Sequence, residues 1–176
     1  MNDTQLKLRG FTKVQIVDPT TGTVVGDSGW KQNKITSTGF EHMAVGCVSG
    51  NPGSITAEGL GLGHFTNVNF TSTQLDFDSS PSVFNGRILA TNANCSSEFV
   101  ATSNGAILRF HATWLAASNW ISQDSTINGI GIFNNTNAIS NANIDANKML
   151  AGTTFAESAW SADQEVRATY ELKFSQ

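Results

Sequence analysis

Residues Val166–Phe174 alternate strictly: Val166, Ala168, Tyr170, Leu172 and Phe174 fall on one side, Arg167, Thr169, Glu171 and Lys173 on the other. Period two over this length specifies a half-buried antiparallel strand and is incompatible with an amphipathic helix, whose apolar positions recur every three or four residues. The same period runs through Leu108–Trp114 and, more briefly, Thr12–Ile16. Further strands are expected at Gln74–Phe77, Phe84–Ala90, Ser97–Ala101, Ile127–Phe133 and Met149–Phe155. Turn chemistry separates them. Asp18-Pro19-Thr20-Thr21-Gly22 reads as a hairpin turn between Val14–Val17 and Thr23–Val25, and Asn85-Gly86, Asn104-Gly105 and Asn128-Gly129 are further turn dipeptides. Asn104-Gly105 is the best placed of these three. Seven or more short strands with such turns predict an all-β fold, an antiparallel β-sandwich of jelly-roll-like form.

One segment departs from this period. Thr38 and Glu41 have the spacing of a capping box, and Phe40, Met43, Ala44 and Cys47 or Val48 follow at helical spacing. One short helix is therefore expected over residues 39–48, ended by Gly50-Asn51-Pro52-Gly53. The 176 residues suit one domain: an N-terminal arm over 1–10, too polar for a core strand, then a single sandwich domain over 11–176.

Composition narrows the partners. Only 14% of residues are charged, and 17 Asn, 18 Ser, 19 Thr and 16 Gly make the surface polar but neutral. The net charge of -4 supplies no basic stripe for phosphates, so no nucleic-acid partner is expected. No apolar run is long enough for a spanning helix, so no membrane partner is expected either. Met1–Gln5 lacks the basic and apolar regions of a signal peptide, which points to synthesis in a cytosol. Cys47 and Cys95 read as free, half-buried thiols, with one disulfide as the alternative.

Candidate chemistry is sparse. His42, His64 and His111 have no zinc spacing with the two cysteines and read as solvated or capped side chains. No G-x-S-x-G elbow marks a nucleophile. Gly59–Gly63 lacks the G-K-[ST] ending of a phosphate loop and reads as an extended segment whose glycines admit another backbone. Asp76 and Asp78, even with Asp124 or Asp145, lack calcium-loop spacing. Four Asn-x-Ser/Thr sequons are no more than this composition gives by chance. The reading is of a protein that is not an enzyme, with no catalytic residues, cofactor or metal.

Interface residues are better represented. Trp114 continues an inward series and belongs to a core. Trp120 and Trp160 lie among Ser, Ala and Asn, and serve either as interface anchors or as packing over loops. Asn137 and Asn141 belong to the Asn-rich stretch 134–147, an exposed loop able to make polar contacts. Leu6, Leu8 and Arg9 belong to the arm, the first choice for a docking contact because termini become ordered when they bind.

The order of several segments resembles a group of small bacteriophage virion proteins. These are Val17–Val25, Gly29-Trp30-Lys31-Gln32-Asn33-Lys34-Ile35, the short helix, Ile127–Asn134 and Met149–Phe155 before the closing strand. The resemblance covers both ends and is thin from about residue 65 to 125. It departs from the group's threonine- and alanine-rich stretch at Gly59–Gly63. It implies a non-enzymatic virion component, first a capsid decoration or cement protein contacting the major capsid protein as a dimer or trimer. A tail, baseplate or fibre-adaptor protein is the alternative. From another class, jelly rolls also serve as sugar-binding modules, with Trp120 or Trp160 as the stacking ring.

Overall fold

The computed structural model describes residues 7–37, 39–41, 59–63, 87–89, 94–116, 125–133 and 149–175. Ten strands run through them: β1 (Lys7–Val17), β2 (Val24–Asp27), β3 (Lys31–Ile35), β4 (Gly59–Gly63), β5 (Arg87–Leu89), β6 (Cys95–Thr102), β7 (Gly105–Trp114), β8 (Ser125–Phe133), β9 (Met149–Trp160) and β10 (Glu165–Ser175). Every pairing is antiparallel, in the order β5-β4-β8-β9-β3-β1-β10-β7-β6, with β2 also on β1.

β3 divides this ladder in two. Its first residues, Lys31–Asn33, pair with Thr12–Gly10 of β1, whereas Lys34 and Ile35 pair with Gly152 and Ala151 of β9. The first sheet is thus β6, β7, β10 and β1 with β2 and the start of β3; the second is the end of β3 with β9, β8, β4 and β5. Val14, Ile16, Phe110, Trp114 and Tyr170 of the first sheet and Leu60, Ile127, Ile130, Phe155 and Trp160 of the second belong to one buried cluster. Two antiparallel sheets burying one face each against a common core make a β-sandwich. The order establishes that sandwich; it does not establish a jelly roll.

Alternation accounts for the first sheet. β1 and β10 pair over their full length from Lys7↔Ser175 to Val17↔Glu165, with Val14, Ile16, Val166, Ala168 and Tyr170 inward. The Asp18–Gly22 hairpin forms as expected: the Asp18 carboxylate accepts the Thr20 and Thr21 amides at 2.8 and 3.3 Å, and Gly22 takes φ +70°. The N-terminal boundary differs. Lys7–Gly10 are the opening residues of β1, each opposite a residue of β10, because Leu8 and Gly10 continue the inward series. Residues 7–10 are thus strand and not arm, and residues 1–6 lie outside the described residues.

Three local expectations are corrected. Asn128-Gly129 is no turn; it lies inside β8, where the register with β9 shifts between Ile127 and Gly129. The β6–β7 turn is Ser103-Asn104, and Gly105 already belongs to β7, where a Cβ would lie 1.8 Å from the Phe174 carbonyl oxygen. The helix cap sits two residues earlier than expected. Thr36 Oγ1 accepts the Gly39 amide at 3.1 Å, and Phe40 N donates to Thr36 O at 3.0 Å. Thr36 is held there by donating to the Met149 carbonyl at 2.6 Å, an anchor on β9 that local sequence does not reveal. Residues 39–41 are helical; Thr38 and 42–50, with His42 and Cys47, lie outside the described residues. So do Gln74–Phe77, Asn85-Gly86, His64, the four aspartates of the calcium reading and the 134–147 stretch.

Candidate interaction surface

The outer face of the first sheet carries a charge ladder across neighbouring strands. Arg109 of β7 donates through Nε to Glu171 of β10 at 2.8 Å and through a terminal nitrogen to Glu98 of β6. Lys173 approaches the other oxygen of Glu171 at 3.0 Å and lies 4.9 Å from the centre of the Phe11 ring on β1. Burial pushes the Glu171 carboxyl up, but Lys173 and Arg109 together outweigh it and hold it below the usual glutamate value. His111 sits beside this ladder, its Nδ1 3.1 Å from Thr169 Oγ1, on the polar face as expected. Lys13 is 3.1 Å from Asp27, and Arg167 pairs with Glu165. These pairs satisfy one another, whereas Lys7 and Arg9 of β1 are exposed on the same outer face.

An open cleft of about 410 Å³ lies at one end of β6, lined by Cys95, His111, Glu165 and Arg167 among others. A thiol near an imidazole invites comparison with a catalytic pair. The geometry argues otherwise. Cys95 lies opposite Ala112, on the inward face, while His111 points outward. Burial also pushes the Cys95 thiol above its ordinary value, whereas a nucleophilic cysteine requires the reverse. Cys95 is a free, half-buried thiol, as its sequence suggested. Among the described residues no three His, Cys, Asp or Glu side chains gather to hold a metal, and no helix is long and apolar enough to cross a membrane.

The other distinctive surface is apolar. On the inward face of the first sheet the core ends at a rim formed by Leu108 and Leu172. Beyond that rim lie Leu8 opposite Phe174 on the β1–β10 ladder and Phe99 opposite Leu108 on the β6–β7 ladder. Leu8 and Phe174 are half-buried, and Phe99 is 70% exposed. Among the described residues the second sheet therefore covers only part of the first, leaving an apolar margin that runs from Leu8 and Phe174 to Phe99 on the last strand, β6. Elsewhere Val24, Val25 and Trp30 project from β2 and the turn after it.

Of the residues expected to make contacts, Leu8 lies in this margin. Arg9, its neighbour in sequence, is exposed on the opposite face, so the strand separates the two. Trp160 is corrected: it is 3% exposed within the core and is no surface anchor. The register shift between β8 and β9 explains this. Before it Met149, Ala151 and Phe155 point inward; after it the inward position is the even-numbered Trp160. Leu6, Trp120, Asn137 and Asn141 lie outside the described residues. Phe99 was missed because Ser97–Ala101 is too short a strand for its pattern to tell a buried aromatic from an exposed one.

No protein-family description, no curated protein and no solved structure matches the chain.

Proposed function

We propose that the protein is a non-enzymatic structural component of a bacteriophage virion, in first place a decoration or cement protein on the outer capsid surface. The observation that carries this reading is the apolar margin that runs from Leu8 and Phe174 to Phe99 on β6, the last strand of the described sheet, on a molecule whose outer-face charges Arg109, Glu171 and Lys173 pair with one another. Such a surface suits binding by neutral contacts to protein subunits. Low charge limits the effect of salt on that binding, because screening acts mainly on exposed ions. Decoration would stabilise the assembled shell by mass action, through binding that favours the closed state. A homo-oligomer is part of this proposal, since virion surfaces present symmetric sites. A tail, baseplate or fibre-adaptor position uses the same surface and differs in copy number.

The test is the number of copies per purified particle, measured by quantitative mass spectrometry against the major capsid protein. Hundreds of copies support the capsid reading. A handful moves the protein to the tail or fibres. Absence from the particle overturns the virion reading.

A sugar-binding role has one observation in its favour: Trp30 is 51% exposed, close in sequence to Asp27. Against it, the Asp27 carboxylate already accepts the Gly29 amide at 2.7 Å and Gln15 Nε2 at 2.9 Å, and meets Lys13. The polar half of a sugar site is thus occupied by the protein itself. Quenching of tryptophan fluorescence by a glycan, lost in Trp30→Ala, would favour this second reading.

A further inference from the structure

Among the described residues β6 ends the sheet, and the side it turns away from β7 is defined by its pairing with that strand. Thr102 lies opposite Gly105 across a two-residue turn, and Thr113 N donates to Asn94 O at 2.9 Å in the same register. Even-numbered residues of β6 therefore direct their N–H and C=O groups at β7, and Ser97, Phe99 and Ala101 direct theirs away from the sheet. The same three residues carry their side chains on the inward face, and Phe99 is the most exposed large apolar residue described. Natural edge strands are commonly guarded by lysine, proline or a bulge. β6 (CSSEFVAT) has none of these within its regular register, and its single charge, Glu98, is bound by Arg109 of the neighbouring strand.

We infer that two copies of the chain pair antiparallel through their β6 edges about a two-fold axis at Phe99. The inference deepens the assembly proposed above and rests on that reading. The partner is a second copy because β6 is complementary to itself in this register. Phe99 faces its own symmetry mate, Ser97 faces Ala101, Ser96 faces Thr102 and Glu98 faces Val100. Centring the axis one residue earlier sets Glu98 against Glu98, and like charges directly opposite disfavour pairing. The Phe99 register keeps each Glu98 on its own Arg109. It also closes the apolar margin from both sides, joining the Phe99, Leu108 and Leu172 surfaces of the two copies. A two-fold contact of this kind is isologous and stops at two chains.

Sedimentation velocity of the full chain over a dilution series tests the pairing. Wild type is expected to sediment as a dimer that dissociates on dilution. Ala101→Pro removes one outward N–H and leaves the β7 ladder untouched, so it should be monomeric with unchanged circular dichroism. Phe99→Lys should also be monomeric; if it does not fold, Ala101→Pro decides. Val25→Lys, on an exposed residue of β2, should remain dimeric. A wild-type monomer at every concentration, a wild-type trimer, or a dimer that survives Ala101→Pro overturns the inference. The particle count is separate: a monomer present in hundreds of copies per virion defeats the β6 pairing alone, whereas a dimer absent from particles defeats the virion reading alone.

Discussion

Along β1, β7 and β10, charged or polar residues alternate with apolar ones, whereas β4 and much of β8 alternate aliphatic side chains with glycine. The first sheet wets its outer face with Arg109, Glu171 and Lys173 in a cross-strand ladder. The second lays Gly61, Gly131 and Gly152 next to one another across three strands, while Leu60, Ile132 and Ala151 supply its inward row. Both solutions satisfy the core, but they constrain the outer face differently. Side chains carry the first sheet's polar face; close backbone packing carries the second's. The difference teaches where each sheet is vulnerable: the first to loss of a charge partner, the second to the addition of a methyl group.

The largest effects should come from the core that the two share. Trp114 is fully buried in the first sheet and Ile130 in the second. Trp114→Ala should cost about 4 kcal/mol and Ile130→Ala about 3 kcal/mol, from lost transfer energy and the cavity left behind. Because both belong to one cluster, urea unfolding of each variant should stay a single transition with a lowered midpoint. Two separated transitions would mean that the sheets are independent units joined only through β3.

The same contrast governs how much of the structure could be read beforehand. β1, β7 and β10 were legible because alternation of charge with apolar residues is a strong period-two signal over many positions. β4 was legible only as an extended glycine segment open to another backbone, which is how it pairs with β5 and β8. β3 was not anticipated as a strand. Lys31-Gln32-Asn33-Lys34-Ile35 is polar, and its inward position is Asn33, 5% exposed. That amide lies beside the Tyr170 hydroxyl, yet neither completes a hydrogen bond of normal geometry. Burial alone keeps the Tyr170 phenol far above its ordinary value, and the nearby Asn33 only partly opposes this. The candidate surface was half legible. Leu8 was singled out for the wrong reason, as part of an arm; Trp160 was misplaced because a register shift changes which residues face inward.

A middle-sized effect should distinguish the first sheet through its ladder. The Glu171 side chain is 6% exposed and serves both Arg109 and Lys173. Glu171→Gln should cost about 1.5 to 3 kcal/mol at neutral pH, the range for hydrogen bonds to charged groups. The pH dependence follows from the sign of the shift. The folded-state value is lowered, so the stabilisation is complete above the ordinary glutamate value of 4.5 and is lost as pH falls through the lower, folded one. Thermal unfolding between pH 7 and 3 should show wild type and Glu171→Gln converging on the acid side. Equal separation at every pH would mean that Glu171 acts through shape and not through charge.

The smallest effect sharpens the reading of the second sheet. A Cβ on Gly152 would lie 3.1 Å from the Ile130 carbonyl oxygen and 3.2 Å from Met149 Sδ. Met149 is flexible enough to give way, but the Ile130 carbonyl belongs to the paired strand β8 and moves only with its ladder. Alanine is normally the better residue in a strand interior, by roughly 0.5–1 kcal/mol, because glycine loses more chain entropy on folding. Crowding against backbone opposes that gain, and overpacking costs of about 1–3 kcal/mol are larger. Gly152→Ala should therefore lower stability by about 1 kcal/mol in urea denaturation. A gain in stability would show that this glycine is not needed for close strand approach, and the contrast between the two sheets would then rest on side-chain charge alone.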